Sequence, residues 1–408
     1  MAWTGAVYNT YTGHARMLRM WFFEEKRIYL DYASSTLPLK EALCAMREVE
    51  GLIGNPGGIH QEALAAKARL EDARDGVARE LAVKGREIIF TSGLTEAINL
   101  AVLGFARKLQ IKNQFEGSHW IVSSIEHSAV LESFGEIERM GGTVTYIDPN
   151  EKGIFDVETV IHALREETVF LSIGWANNEI GVVQPIRDIS RSVKEKNPAI
   201  IFHSDAGQAP LYLSPQVHTL GVDLMSFGSN KLYGPHGIGA LYVATSTDMA
   251  PMIMGGGQER GLRSGTENVA LAAGFAAAFA KIARERESEA RRLRDLRTAF
   301  AKEIEKKIPD AIVNTDIKRA LPHMLNISIP NIQSEYVALA LDRAGTAVST
   351  KSACAEGGSK ASHVVAALGG AEWRATNTLR FSLGRDTRAA DLEKTVTALL
   401  NILVKAKG

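Results

Sequence analysis

Along most of this chain, short uninterrupted apolar runs alternate with longer stretches of helical periodicity. Seven of the runs predict buried strands: EIIF at 87–90, WIVSS at 120–124, TVTYI at 143–147, VFLSIGW at 169–175, AIIFHSD at 199–205, DLMSF at 223–227 and IGALYV at 238–243. Strands apolar throughout and separated by helices specify an α/β fold, a mostly parallel seven-stranded sheet wound on both faces. From about Glu267 to Lys307 the pattern becomes one long stretch, Ala-rich and then heavily charged, which predicts a solvated helix leaving the large domain, and a hinge. Beyond it LNISI, TAVST and LRFSL read as strands among shorter helices, a smaller α+β domain. The expected division is an N-terminal extension over 1–27, a large domain over 28–266 whose first residues are also candidates for the small one, and a small domain over 267–408.

Composition narrows the partners. Of the 408 residues 45% are hydrophobic, enough for a large core, and the 47 Lys+Arg cancel the 47 Asp+Glu. Without a net field to gather polyanions, nucleic acid and anionic membrane surfaces are not expected partners. The two cysteines, Cys44 and Cys354, form no CxxC or Cys/His cluster, so neither a disulfide framework nor a metal site is expected and a reducing cytoplasm fits. Residues 1–27 carry aromatics and Arg but not the apolar core and cleavage site of a secretory signal. No apolar run reaches the roughly 20 residues of a membrane helix.

Three features stand out in the large domain. In EIIFTSGLTEAINLA a strand passes through Thr91, Ser92, Gly93, Leu94 and Thr95 into a helix, whose first N–H groups suit a phosphate, although Thr and Ser there also serve as plain caps. Asp205 ends an apolar run, where open sheets place their ligands; it suits a protonated pyridine nitrogen, or a helix cap or salt bridge. Lys231 follows another strand in a turn crowded by small residues, which suits a Schiff-base lysine, whereas most lysines are solvated surface groups. Cradle, strand-end Asp and turn Lys follow one another in the order that a pyridoxal 5'-phosphate (PLP) site requires.

From about Ile28 to the C-terminus the chain resembles the cysteine desulfurases, in the class V aminotransferase branch of fold-type I PLP enzymes. The resemblance is carried by YLDYA, FTSGLTEAINLA, SSIEHSAVL, NNEIGVVQPI, HSDAGQ, KLYGPHGIGALYV, GGGQERGLRSGTEN, STKSACAEGG and LRFSLGR. It implies that Lys231 holds the cofactor, that His127 stacks on its ring and moves protons, and that Leu94 and Thr95 hold its phosphate. Asn178 and Gln208 would contact the phenolic oxygen, and Thr266 would reach the phosphate of the other subunit of a homodimer. Arg380 would grip the substrate carboxylate, assisted by Asn178, with Arg385 nearby paired to an acidic neighbour. Cys354, in a small and polar stretch, would take the sulfur of L-cysteine as a persulfide and pass it to an iron-sulfur scaffold, a thiolation carrier or simple thiols. Cys44, in KEALCAM, better fits a buried structural cysteine. The short Ser-Ala-Cys loop resembles the iron-sulfur-assembly branch.

The chain departs from the family where a Ser, a small residue and then His-Lys are usual: here stand Gly228, Ser229, Asn230 and Lys231. Ser229 and Asn230 are the candidates to replace the lost phosphate ligands. Leu94 replaces a small alanine, and Lys351 a glycine before Cys354. Selenocysteine lyase, another class V enzyme, and a degenerate regulatory protein on the same fold are the alternative readings.

Overall fold

The computed structural model describes residues 27–350 and 361–407. Strands in chain order are β1 (Ile28–Tyr29), β2 (Ile88–Thr91), β3 (His119–Ser123), β4 (Thr143–Ile147), β5 (Thr168–Ser172), β6 (Ile201–Asp205), β7 (Leu224–Gly228), β8 (Gly239–Val243), β9 (Ile312–Val313), β10 (Met324–Ser328), β11 (Thr346–Ala347) and β12 (Thr378–Ser382). Seven of them form one sheet in the order β2-β8-β7-β6-β5-β3-β4, with only β8 antiparallel to its neighbours. The expected mostly parallel α/β sheet is therefore present, each strand within three residues of its apolar run at either end. Strands such as β3 and β8 are buried along their whole length because helices cover both faces.

The helices include α1 (Lys40–Val49), α2 (Gln61–Leu81), α3 (Leu94–Ile111), α4 (Ser128–Arg139) and α5 (Val269–Lys307), with α1 packed on α5. The buried Ala63, Ala66, Leu70, Ala73, Val77 and Leu81 give α2 an apolar stripe at helical spacing. The 39 residues of α5 bridge two cores: Phe279 meets Phe227 of β7, and Phe300 meets Phe381 of β12 edge-on at 5.2 Å. This corrects the expectation of a solvated helix, because Leu293, Arg297, Phe300 and Ile304 bury one face of the charged half. Cys44 is likewise exposed rather than buried, since α1 turns Ala42 and Val49 inward.

In the C-terminal part β12, β10 and β9 form an antiparallel sheet, and β1 pairs in parallel with β11. Asp31, just past β1, bridges to Ser382 in β12, so the first described residues are stitched into the C-terminal layer. Among the described residues no helix is long and apolar enough to cross a membrane.

Candidate active site

The carboxyl ends of β2, β3, β5, β6 and β7 open onto one cavity of about 410 Å³, the edge at which parallel sheets place ligands. At one end β2 runs through Ser92 and Gly93 into α3. The N–H groups of Leu94, Thr95 and Glu96 precede the first internal bond of that helix, Ala97 N to Gly93 O at 3.1 Å, and with the helix dipole they favour an anion. Glu96 is held aside, accepting from Ser92 N at 2.7 Å and from Arg263 Nε at 2.9 Å.

Asp205 ends β6 and accepts from Gly207 N at 2.8 Å. Burial pushes its carboxyl up to about 6, opposed by that N–H and by the Lys231 ammonium. Lys231 lies in a tight turn just after β7, and its Nζ donates to the carbonyls of Ala33 and Ser34 at 2.8 and 2.7 Å. Gln208 donates its Nε2 to Ala33 O at 2.8 Å, while its buried Oε1 has no partner among the described residues. His127 caps α4, its Nδ1 accepting from Ala129 N at 3.1 Å. Burial, with Lys231, His363 and Arg380 nearby, pulls it down to about 4, so the ring is neutral and carries its proton on Nε2.

The opposite end is built around Arg380, whose residue is only 1% exposed. It stands on β12 and donates Nη1 to Asn178 O at 2.8 Å and Nη2 to Asp31 Oδ1 and Ser34 Oγ at 2.8 and 2.7 Å. The chain on both sides of the segment containing Cys354 is fixed here. Ser349 and Arg380 exchange backbone hydrogen bonds, and Ser362 Oγ donates to the buried Glu179 carboxylate at 2.5 Å.

An anion-binding helix start, a strand-end carboxylate, a lysine and a neutral imidazole thus face one space. A class V aminotransferase model matches residues 28–395. The chain belongs to that family. Cysteine desulfurase IscS of Dictyoglomus turgidum is 39% identical over 384 residues, covering 94% of this chain and 96% of the relative. Among solved structures, a NifS-like protein superposes with a TM-score of 0.86 at 32% identity, covering 93% of this chain and 100% of its own. SspA in complex with cysteine superposes at 0.76 and 36% identity, covering 87% and 98%. Within the family the chain is a cysteine desulfurase, on the fold of PLP enzymes of type I.

The residues present fit PLP, the cofactor of this family: the unbonded N–H groups at the start of α3 suit its phosphate, and the Asp205 carboxylate, met by a single N–H, has acceptor capacity to spare for its ring nitrogen. Leu94, Thr95, His127, Asn178, Asp205, Gln208, Asn230, Lys231 and Arg380 all line it. Two expected residues do not. Ser229 is fully buried, because the turn swings its Oγ to the far side of the chain, where a Cβ on Gly234 would lie 2.2 Å away. Thr266 is exposed and outside the cavity, and Cys354 and Lys351 lie outside the described residues. Arg385 pairs with Glu285.

The departures Leu94 and Gly228 meet each other. A Cβ on Gly228 would stand 3.0 Å from Leu94 Cβ, and one on Gly207 would come 2.6 Å from Leu94 Cδ2. The leucine fills space that only glycines leave open. Sequence reasoning missed Glu126, whose Oε1 accepts from Gly174 N at 2.7 Å and which burial pushes up to about 8. Its signal was a charge between Ile125 and His127 directly after a buried strand. Asp31 and Ser34 were missed as well, although YLDYA had been singled out.

Proposed function

We propose that the protein binds PLP through Lys231 and uses it to take sulfur from L-cysteine, leaving L-alanine and a persulfide on Cys354. One observation carries the reading: Lys231, Asp205 and His127 share a single cavity with the buried Arg380, in a chain of the cysteine desulfurase family. The cysteine held by the similar SspA is consistent with this substrate.

The N–H groups at the start of α3, with Thr95, would hold the cofactor phosphate, and Asn230 lies beside Lys231 to assist. Asp205 would pair with the ring nitrogen and His127 would lie against the ring. When bound, the cofactor supplies an electron sink for the bonds broken at the substrate carbons. Arg380 holds the substrate carboxylate and so orients the amino acid. Lys231 and His127 exchange protons with the substrate carbons, His127 from its neutral form. The Cys354 thiolate attacks the substrate sulfur. An S–S bond forms as the Cβ–S bond breaks, the electron pair left on carbon takes a proton, and alanine departs.

The persulfide sulfur then passes to an acceptor, an iron-sulfur scaffold or a thiolation carrier. A homodimer is part of the reading: Thr266 is exposed, and the exposed apolar residues Met252, Ile253 and Met254 precede it, a surface that a second subunit would cover. A cytoplasmic location suits the free thiol. The test is a paired sulfide and alanine assay on PLP-loaded protein with L-cysteine and a reducing thiol. Equal release of both products, abolished by Lys231→Ala and Cys354→Ala, is expected; yellow protein that yields neither product would overturn the reading.

A further inference from the structure

Arg380 is committed before any substrate arrives. A guanidinium can grip a carboxylate with two parallel hydrogen bonds along only two edges, Nη1 with Nη2 or Nε with Nη2, and Nη2 belongs to both. Here both Nη2 hydrogens are taken, one by Asp31 Oδ1 at 2.8 Å and one by Ser34 Oγ at 2.7 Å. Ser34 passes its own proton to the same Asp31 oxygen at 2.8 Å, closing a three-membered ring of partners. Nε is buried and has no partner, so that edge is closed to an incoming ligand. The pairing is built into the fold: Asp31 is held by its bridge to Ser382, two residues along β12 from Arg380.

We propose that Asp31 and Ser34 hold the place of the substrate carboxylate, so that the amino acid binds by exchanging its carboxylate for theirs at Nη2 of Arg380. This rests on the assignment of Arg380 to that carboxylate. Asp31 is then a positioning residue with a consequence for specificity. A ligand bearing a carboxylate replaces the ion pair it breaks, whereas an amine without one leaves the internal pair in place and gains nothing from Arg380. Ser34 couples the exchange to the lysine, because its backbone carbonyl is one of the two that hold Lys231 Nζ.

The experiment uses PLP-loaded protein and three readouts: the Kd of L-alanine from the cofactor absorbance, KM and kcat for L-cysteine, and the Kd of cysteamine, which has no carboxylate. Asp31→Asn keeps an acceptor of the same shape and removes the competing charge. It is expected to tighten alanine and lower the cysteine KM by about tenfold, the range of one charge-assisted hydrogen bond, without a matching rise in kcat. Cysteamine binding is expected not to change. Ser34→Ala, a second variant that leaves the ion pair in place, is expected to shift alanine in the same direction by a smaller factor. Unchanged or weaker alanine binding in both variants would overturn the exchange, as would cysteamine tightening equally. Arg380→Ala separates the two levels: if it weakens alanine while Asp31→Asn does not tighten it, only the exchange falls, and if it leaves alanine binding untouched, the assignment of Arg380 falls with it.

Discussion

The two ends of the cavity are built differently. The end that would hold the cofactor is made from consecutive strand ends and turns of one sheet: Asp205 closes β6, Lys231 follows β7, and Leu94 and Thr95 open the helix after β2. Each lies where a buried run gives way to a turn. The substrate end has no such local origin, since Arg380 meets Asp31 and Ser34 across 349 and 346 positions of chain and Asn178 across 202. A sheet edge collects chemistry by geometry alone, whereas a substrate grip between two layers requires segments hundreds of residues apart to be folded together.

The sharpest break of the cofactor end is Lys231→Ala, expected to lower alanine formation by about a thousandfold or more while leaving the fold intact. The test is single-turnover assay beside circular dichroism. At the substrate end Arg380→Lys keeps the charge but not the planar fork, and is expected to raise the cysteine KM by about tenfold or more. A KM unchanged with a collapsed kcat would place Arg380 in the chemistry rather than in binding.

The pair Leu94 and Gly228 tests whether the cofactor end tolerates the family's usual residue. Gly228→Ser puts its Cβ 3.0 Å from Leu94 Cβ and is expected to cost about 1–3 kcal/mol, with Leu94→Gly, which removes that Cβ, in the double variant returning part of it. Thermal unfolding of the four proteins measures the coupling, and strict additivity would sink it.

The smallest expected effect is on pH dependence. Glu126 is raised from its unfolded value of 4.5 to about 8, so its contribution is full below 4.5 and is lost as pH rises through about 8. Glu126→Gln should therefore flatten the decline in Tm between about pH 4.5 and 8. The buried His203 and His323 act in the opposite direction: lowered from 6.5 to about 3 by burial, they contribute above 6.5 and lose that contribution as pH falls toward 3. A Tm profile of Glu126→Gln parallel to the parent's between about pH 4.5 and 8 would show that another group governs that limb.

Much of this was legible in the residues. The seven strands follow apolar runs too short for helices, and Asp205 and Lys231 stand out because one ends such a run and the other lies in the turn just after one. Ser229 lies away from the cavity, and a hydroxyl beside the lysine says nothing about which side of a tight turn it takes. The charged half of α5 misled for a related reason. Burial of Arg297 depends on the carbonyls of Ile317 and Leu321, which accept its guanidinium hydrogens.

By itself the sequence determined the α/β sheet, the order of its strands along the chain and the residue types at their ends, because hydrophobic period and turn chemistry act over a few residues. Only the tertiary structure decided that Leu94 would need Gly207, that Glu126 would be a buried acid, and that Arg380 would already be paired to Asp31. Those are contacts between segments far apart in the chain, where the energy depends on distances and desolvation that no local pattern encodes.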